Sequence, residues 1–189
     1  NTTNLVELHG NLNATPVAAP GLTFGAQFMG LRARQLRNND SIRIDGATHG
    51  VGINIGASVA VATNITLGLI NSGSIAVHGL TGSGSSTGIS DVGSTLGSSV
   101  MNDGSINVSG SNASGVMLVH TNTNGFSNRG TISASGTDAV GVLLDGATVQ
   151  GTISIDGTIR ATGSDAEALT LEGVTFNRSP SQSLSMLNN

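Results

Sequence analysis

Residues 128–136 read NRGTISASG, and the same phrase recurs along the chain. Residues 71–79 (NSGSIAVHG) and 102–110 (NDGSINVSG) repeat it closely, and residues 38–46 and 155–163 repeat it loosely. The shared pattern, N-x-G-[ST]-I-x-[AV]-x-G, alternates apolar and polar residues after its first glycine. Such alternation is typical of a strand with one buried face. A unit that returns at intervals of this length predicts a solenoid, a propeller or an array.

The reference position of each copy is its central isoleucine or the equivalent residue: Val6, Ile42, Ile75, Ile106, Ile132 and Ile159. These positions lie 36, 33, 31, 26 and 27 residues apart. Residues 151–157 also fit the pattern, but a reference at Ile153 would give spacings of 21 and then 6, which no coil allows. A glycine four residues after each reference predicts a corner with positive φ.

A second strand follows each copy and reads G-[VI]-x-L or a variant, with copies that start at Gly21, Gly52, Gly115, Gly141 and Ala168. The copy at Gly88 places Asp91 in an inward position, so we expect either a slip of register there or Val92 in its place. A third, less regular strand precedes the next asparagine, at residues 65–70, 100–101, 125–127 and 152–155.

The fold predicted from this pattern is all-β: a right-handed parallel β-helix, or β-solenoid, of about six coils with three short strands each. Residues 1–189 form a single domain, with coils starting near residues 6, 42, 75, 106, 132 and 159. A partial terminal coil covers residues 177–189, because Asn177 and the two residues after it mirror residues 128–130.

Stacked coils bring equivalent residues together, which predicts an asparagine ladder. The position four before the reference holds Asn38, Asn71, Asn102 and Asn128. Stacked amides hydrogen-bond one another in cross-β structures, although asparagine also suits a turn for local reasons. The next position places Arg129 between two carboxylates in neighbouring coils, a surface pairing worth at most ~1 kcal/mol.

The composition favours a narrow aliphatic interior. The chain has 28 Gly, 4 Phe and neither Tyr nor Trp, and its formal net charge is −4 with no Lys. We therefore expect no nucleic-acid partner. Cysteine is absent, which excludes disulfides and thiolate metal sites. No apolar run is long enough for a membrane-spanning helix.

Catalytic, cofactor and metal sites are not expected. No outward row is expected to hold two carboxylates in adjacent coils without an intervening Arg or His, whereas polysaccharide-cleaving β-helices need clustered carboxylates. Residues 84–88 match G-x-S-x-G, but they stand in a Gly/Ser loop and lack the strand–turn–helix context. His9, Asp45 and His78 are expected in one outward row. We interpret this row as a solvated polar patch in preference to a metal site.

The pattern starts and stops without an evident cap at either end. We expect strand edges near Val6, Leu8, Val174 and Phe176 that are open to further pairing. This arrangement predicts head-to-tail assembly of the chain with itself, or excision from a longer solenoid.

The tandem patterns N-x-G-[ST]-I-x-[AV]-x-G and G-[VI]-x-L over residues 5–178 resemble the passenger domains of bacterial autotransporters. The resemblance implies export from a Gram-negative cell and a role as an adhesin, a biofilm factor or, less often, an enzyme. The expected function is therefore a non-catalytic extracellular fibre at a bacterial surface. The alternatives are a monomeric rod that binds host or surface glycans or proteins, and an enzyme whose site lies on the loop of residues 79–88.

Overall fold

The computed structural model describes residues 5–15, 22–56, 62–80, 84–177 and 187–188. All regular structure in these ranges is β-strand, and the strands join four parallel sheets that wind in six successive coils. Within the described residues, no helix is long and apolar enough to cross a membrane.

Each coil contributes one strand to each sheet in the same order, so the four sheets form the sides of the rod. Sheet 1 contains β1 (Leu5–Leu8), β5 (Gln35–Asn38), β9 (Leu69–Asn71), β13 (Val100–Asn102), β17 (Phe126–Asn128), β21 (Ile153–Ile155) and β25 (Leu187–Asn188). Sheet 2 contains β2 (Leu12–Ala14), β6 (Ser41–Ala47), β10 (Ser74–Gly79), β14 (Ser105–Ser109), β18 (Thr131–Ser135) and β22 (Thr158–Thr162).

The other two sheets follow in each coil. Sheet 3 contains β3 (Leu22–Met29), β7 (His49–Gly56), β11 (Ser85–Val92), β15 (Ala113–Val119), β19 (Val140–Asp145) and β23 (Glu167–Glu172). Sheet 4 contains β4 (Arg32–Ala33), β8 (Asn64–Ile65), β12 (Thr95–Leu96), β16 (Asn122–Thr123), β20 (Thr148–Val149) and β24 (Thr175–Phe176). Six coils about 4.8 Å apart make a rod of roughly 30 Å.

The predicted parallel β-solenoid is confirmed, but each coil has four strands and not three. The segment expected as one strand over residues 65–70 is split between sheets 4 and 1. Gly68 causes the split, because its positive φ of 74° turns the chain between Ile65 and Leu69. Two-residue strands such as β8 carry too few residues to show alternation, so the sequence pattern merged them with their neighbours.

The reference isoleucines stack directly in sheet 2. Ile42 pairs with Ile75, Ile75 with Ile106, Ile106 with Ile132, and Ile132 with Ile159. Inward side chains of the middle coils are almost fully covered: Ile75 and Ile106 are 1% exposed and Ile132 is 0% exposed. The core is therefore a set of aliphatic columns that run the length of the rod.

The first reference position, Val6, was wrong. Val6 pairs with Leu36 in sheet 1, and it is Leu12 that pairs with Ile42 in sheet 2. The spacing from Leu12 to Ile42 is 30 residues, close to the other coil lengths. Residues 6–10 imitate the repeat because strands of sheet 1 alternate with the same period of two as those of sheet 2.

The second-strand copy at Gly21 was also wrong, and Gly21 itself lies outside the described residues. Ala26 pairs with Ile53 and Phe28 with Ile55, so the first copy starts at Gly25. Glycine stands here because of close packing: a Cβ on Gly25 would collide with the Cγ2 atom of Ile42. The same collision recurs in later coils, where Gly115 faces the Cγ2 atom of Ile132.

The predicted start of the seventh coil at Asn177 is wrong as well. Phe176 pairs with Val149 in sheet 4, and the N–H of Asn177 donates to the Val149 carbonyl, so Asn177 still belongs to that side of the rod. Asn188 is the residue that pairs with Ile155 in sheet 1. Residues 178–186 lie outside the described residues.

Candidate functional surfaces

A column of buried asparagines runs along sheet 1. The Nδ2 atoms of Asn38, Asn71 and Asn102 each donate to the Oδ1 atom of the asparagine in the next coil, at 2.8 Å in all three cases. The last acceptor in the column is Asn128, and all four residues are at most 1% exposed. Because every donor points the same way, each internal amide is satisfied by its neighbours without solvent.

The column stops before it reaches either end of the rod. Leu8 pairs with Asn38 in coil 1, and Ile155 pairs with Asn128 in coil 6. The Nδ2 atom of Asn128 has no asparagine partner in coil 6 and donates to the Thr158 carbonyl at 3.1 Å. Amide-to-amide hydrogen bonds thus link coils 2 to 5, whereas coils 1 and 6 lack this link.

Asp91 is buried in an inward position of sheet 3. It pairs with Ile55 in the coil before and with Leu118 in the coil after, so the register does not slip, and Val92 stays outside at 45% exposure. Neither of the two expected rearrangements occurs. Backbone pairing through the whole strand fixes the register more strongly than one misplaced carboxylate can disturb it.

The surroundings of Asp91 leave part of its carboxylate unsatisfied. Thr121 Oγ1 donates to Asp91 Oδ2 at 3.0 Å. Asp91 Oδ1 and the buried Oγ of Ser94 have no hydrogen-bond partner in the described part of the chain. Burial raises the pKa of Asp91 to about 6, against the opposing effect of the nearby Ser94 and Thr121 hydroxyls.

The expected row of His9, Asp45 and His78 does not form, because His9 was placed by the wrong reference residue. His9 lies beside Glu7, with its Nε2 3.2 Å from a Glu7 carboxylate oxygen, and this hydrogen bond lowers the pKa of Glu7. Asp45 and His78 do pair in register, and Asp45 accepts a hydrogen bond from Arg43 Nε at 2.5 Å. Among the described residues no three side chains converge as metal ligands.

The G-x-S-x-G match lies in a strand and not in a loop. Ser85, Ser86 and the residues after them belong to β11, and Ser86 is 1% exposed. The Oγ of Ser85 is 3.2 Å from His49 Nδ1 in the neighbouring strand. This contact is a surface hydrogen bond between two strands, since the described residues continue as strand and not as the helix that the motif requires.

Carboxylates do share one outward row, contrary to the expectation from sequence. Asp145 and Glu172 pair in adjacent coils at the end of their sheet 3 strands. The sequence rows were built from sheet 2, so they could not find this pair. At the corner just after the sheet 1 strands, Arg129 Nη1 lies 3.7 Å from Asp103, whereas Asp156 accepts a hydrogen bond from Ser154 at 2.9 Å.

The outer face of sheet 3 carries apolar and polar residues side by side, and the sequence pattern did not reveal the apolar ones. Register and partial exposure place eight apolar residues on this face: Phe24, Met29, Val51, Val92, Met117, Val119, Val140 and Leu143. They share their rows with polar residues, among them Gln27, Asn54, Thr87, Ser90 and Ser114. The sequence feature that could have revealed these apolar residues is the variable position x of G-[VI]-x-L. That position holds Asn54 and Ser90 in coils 2 and 3, but Met117 and Leu143 in coils 4 and 5.

A shallow groove follows the corner between sheets 2 and 3. It encloses about 410 Å³ and is lined by Gly79, Ser109, Gly110, Ser111, Ser135, Gly136 and Thr137. Its walls offer hydroxyl groups and backbone atoms from three successive coils and no charged side chain. Such a groove can present hydrogen-bonding groups to a polar, uncharged ligand.

The end coils cover their inward apolar residues only in part. Val6 and Leu8 at one end, and Val174 and Phe176 at the other, are packed against the core but half-buried. Strands β2, β3 and β4 form one set of outer edges, and β22, β23 and β24 form the other. In the described residues these strands have a neighbour on one side only, so half of their backbone groups face outward.

Comparison of the chain with protein-family models, with curated proteins and with solved structures gives no match.

Proposed function

We propose that the chain is a non-catalytic, extracellular structural and adhesive rod of a bacterial surface, which assembles into filaments by end-to-end stacking. The observation that carries this proposal is the half-buried state of the inward apolar residues in both end coils. Stacking would bury Ile159 of one copy against Leu12 of the next, because both belong to the same column of sheet 2. The apolar area removed from water favours the joint by roughly 25 cal/mol per Å².

The joint has a defined geometry. Strands β22, β23 and β24 of one copy would pair with β2, β3 and β4 of the next, which continues three parallel sheets. In sheet 1, β25 holds the edge through two residue pairs, Ser154 with Leu187 and Ile155 with Asn188. An incoming β1 offers four residues, Leu5–Leu8, so stacking in that sheet requires β1 to displace β25.

The extracellular setting is supported by the repeat pattern and by the surface. The autotransporter-like repeat implies export, and the chain has no Lys and few aromatic residues, which deprives common proteases of cleavage sites. Sheet 2 coats one side of the rod with hydroxyl groups from Ser74, Ser105 and Thr131, which pair in register. These features suit a stiff rod that is exposed to solvent and to other surfaces.

Negative-stain electron microscopy of the purified chain tests the proposal. Wild-type protein is expected to form filaments one rod wide, and the double variant Val6→Lys/Phe176→Lys is expected to form short rods, because it places charge in both faces of the joint. Ser133→Lys is the control away from the joint, since Ser133 is an outward residue of β18, which has a paired strand on both sides. Monodisperse rods of wild-type protein, or filaments of the double variant, would overturn the proposal.

A second candidate function is favoured by the groove between sheets 2 and 3. Its hydroxyl-lined, uncharged wall suits a glycan, which would make the rod a binding module for host or surface carbohydrate. Screening the chain against immobilised glycans, with Thr137→Arg as a variant that fills the groove from an exposed position, separates the two functions. A glycan signal that disappears in this variant favours the binding module.

A further inference from the structure

His9 stands at the coil 1 end of a column of corner residues. Each residue of this column directly follows a sheet 1 strand, and the strand register aligns them in the order His9, Asn39, Ser72, Asp103, Arg129 and Asp156. From Asn39 onward, each backbone N–H in the column donates to the carbonyl of the residue that ends the sheet 1 strand one coil earlier. The column is therefore regular from coil 1 to coil 6.

Side chains of neighbouring coils reach one another in this column. Arg129 Nη1, in coil 5, lies 3.7 Å from a carboxylate oxygen of Asp103 in coil 4. Asp156 is the last residue of the column among the described residues. In end-to-end stacking, β1 of the next copy displaces β25, so His9 of that copy would take the following position, about 4.8 Å from Asp156 along the column.

Two carboxylates flank His9 within its own copy. Its Nε2 atom lies 3.2 Å from Glu7 Oε2, and its Nδ1 atom lies 3.7 Å from Asp40 Oδ2. The His9 side chain is 63% exposed, so water screens both contacts in a single rod. The hydrogen bond with His9 lowers the pKa of Glu7, so Glu7 keeps its charge over the range in which histidine side chains titrate.

The two end coils carry opposite net charges. Residues 153–177 hold four carboxylates and one arginine, a formal charge of −3. Residues 5–34 hold Arg32, Arg34 and Glu7, a formal charge of +1 while His9 is neutral and of +2 once His9 is protonated. Protonation of His9 therefore increases the attraction between the coil 1 end of one copy and the coil 6 end of the next.

We infer that His9 makes the end-to-end joint sensitive to pH, because protonated His9 of one copy pairs with Asp156 of its neighbour and strengthens the joint in acid. This inference rests on the end-to-end stacking proposed above. In the joint, His9 faces Glu7 and Asp40 of its own copy and Asp156 of the neighbour. Neutral histidine offers one N–H donor to these three carboxylates, whereas protonated histidine offers two donors and a positive charge.

Two arginines border this group of side chains and carry their charge at any pH of interest. Arg37 pairs with Glu7 in the adjacent strand, and Arg129 lies one coil before Asp156. The sign of the pH effect follows from the added carboxylate. Asp156 of the neighbour makes the assembled state bind the His9 proton more tightly than the free rod, so the extra stability of the joint is present at low pH and is lost as the pH rises.

The critical concentration for filament formation, measured by sedimentation at about pH 5.5 and about pH 8, tests the inference. Wild-type protein is expected to have a critical concentration roughly three- to fivefold lower in acid, which corresponds to one ion pair. His9→Asn is expected to lose most of this ratio, and asparagine suits the column because Asn39 occupies it in coil 2. His78→Asn is the matched control, since it removes a histidine from coil 3, and is expected to keep the wild-type ratio.

The partner of His9 is tested by Asp156→Asn, which is expected to lower the ratio as His9→Asn does. Asp91 titrates in the same pH range, but it is present in all of these proteins and cancels in the comparison. A ratio that either variant leaves unchanged would overturn the inference.

Failure of this inference and failure of the stacking proposal give different results. Wild-type filaments with the same critical concentration at both pH values would overturn the pH-sensitive joint and leave end-to-end stacking intact. No wild-type filaments at either pH value would overturn the stacking and, with it, the inference. Circular dichroism at both pH values checks that every variant keeps the β-rich fold.

Discussion

Replacement of Asp91 by Asn is expected to stabilise the protein at neutral pH and to remove one component of its pH dependence. Asp91 has a pKa raised to about 6 in the folded chain, against a value of 3.8 for the free side chain. A raised pKa means that the folded state holds the proton more tightly than the unfolded state. The stability contributed by protonation is therefore present at low pH and is lost as the pH rises through about 6.

The magnitude follows from these two pKa values. At about pH 7.5 the charged form of Asp91 costs roughly 3 kcal/mol, and at about pH 4.5 the remaining cost is roughly 1 kcal/mol. The Asn side chain carries no charge at either pH and nearly the same volume, and its amide can donate toward the unpaired Oγ of Ser94. The free energy of unfolding of the variant is thus expected to exceed that of wild type by roughly 3 kcal/mol at the higher pH and by roughly 1 kcal/mol at the lower pH.

Urea unfolding of both proteins at the two pH values measures this change. The difference between the proteins is the informative quantity, because the exposed carboxylates titrate alike in both and cancel. Val92→Asn is the matched control: it introduces the same side chain at an outward position one residue away. A difference between Asp91→Asn and wild type that is the same at both pH values would refute the assignment of a buried, titrating carboxylate. It would favour a register in which Val92 points inward.

Three further outcomes are expected. Asn102→Ala removes the centre of the amide column and leaves one buried donor and one buried acceptor unpaired, at a cost of about 2–4 kcal/mol in urea unfolding, whereas the outward control Asn107→Ala costs less than about 0.5 kcal/mol. Gly115→Ala forces a Cβ into a neighbouring isoleucine and backbone carbonyl and is expected to cost more than about 2 kcal/mol, against less than about 0.5 kcal/mol for the outward Ser114→Ala. Arg129→Ala breaks an exposed ion pair and is expected to change the stability by less than about 1 kcal/mol at low salt and by less still at high salt. Equal losses within either matched pair, or a loss at Arg129 that resists salt, would contradict these assignments.

The stacking of the coils could be predicted from sequence because it rests on residues that repeat. The aligned isoleucines and the asparagines four positions before them appear at every coil from residue 38 to residue 132. Period-two alternation with glycine corners then leaves few folds open.

What could not be predicted depends on register between neighbouring coils. Val6 and Leu12 both stand in alternating segments, and only the pairing of Leu12 with Ile42 separates them. Asp91 suggested a shift of strand register because one sequence gives no measure of how strongly six paired residues hold the register. The apolar residues on the outer face of sheet 3 escaped notice because they gather only when residues from five coils, each variable by itself, lie side by side.

The interrupted amide column also gives the rod an uneven resistance to force. Coils 2 to 5 are joined by a side-chain link as well as by backbone bonds, whereas Leu8 and Ile155 leave the outer coils without that link. Under tension applied along its length, such a rod would peel from its terminal turns and keep its middle intact. A tethered rod of this kind would yield in small reversible steps at its extremities while its central segment continues to bear the load.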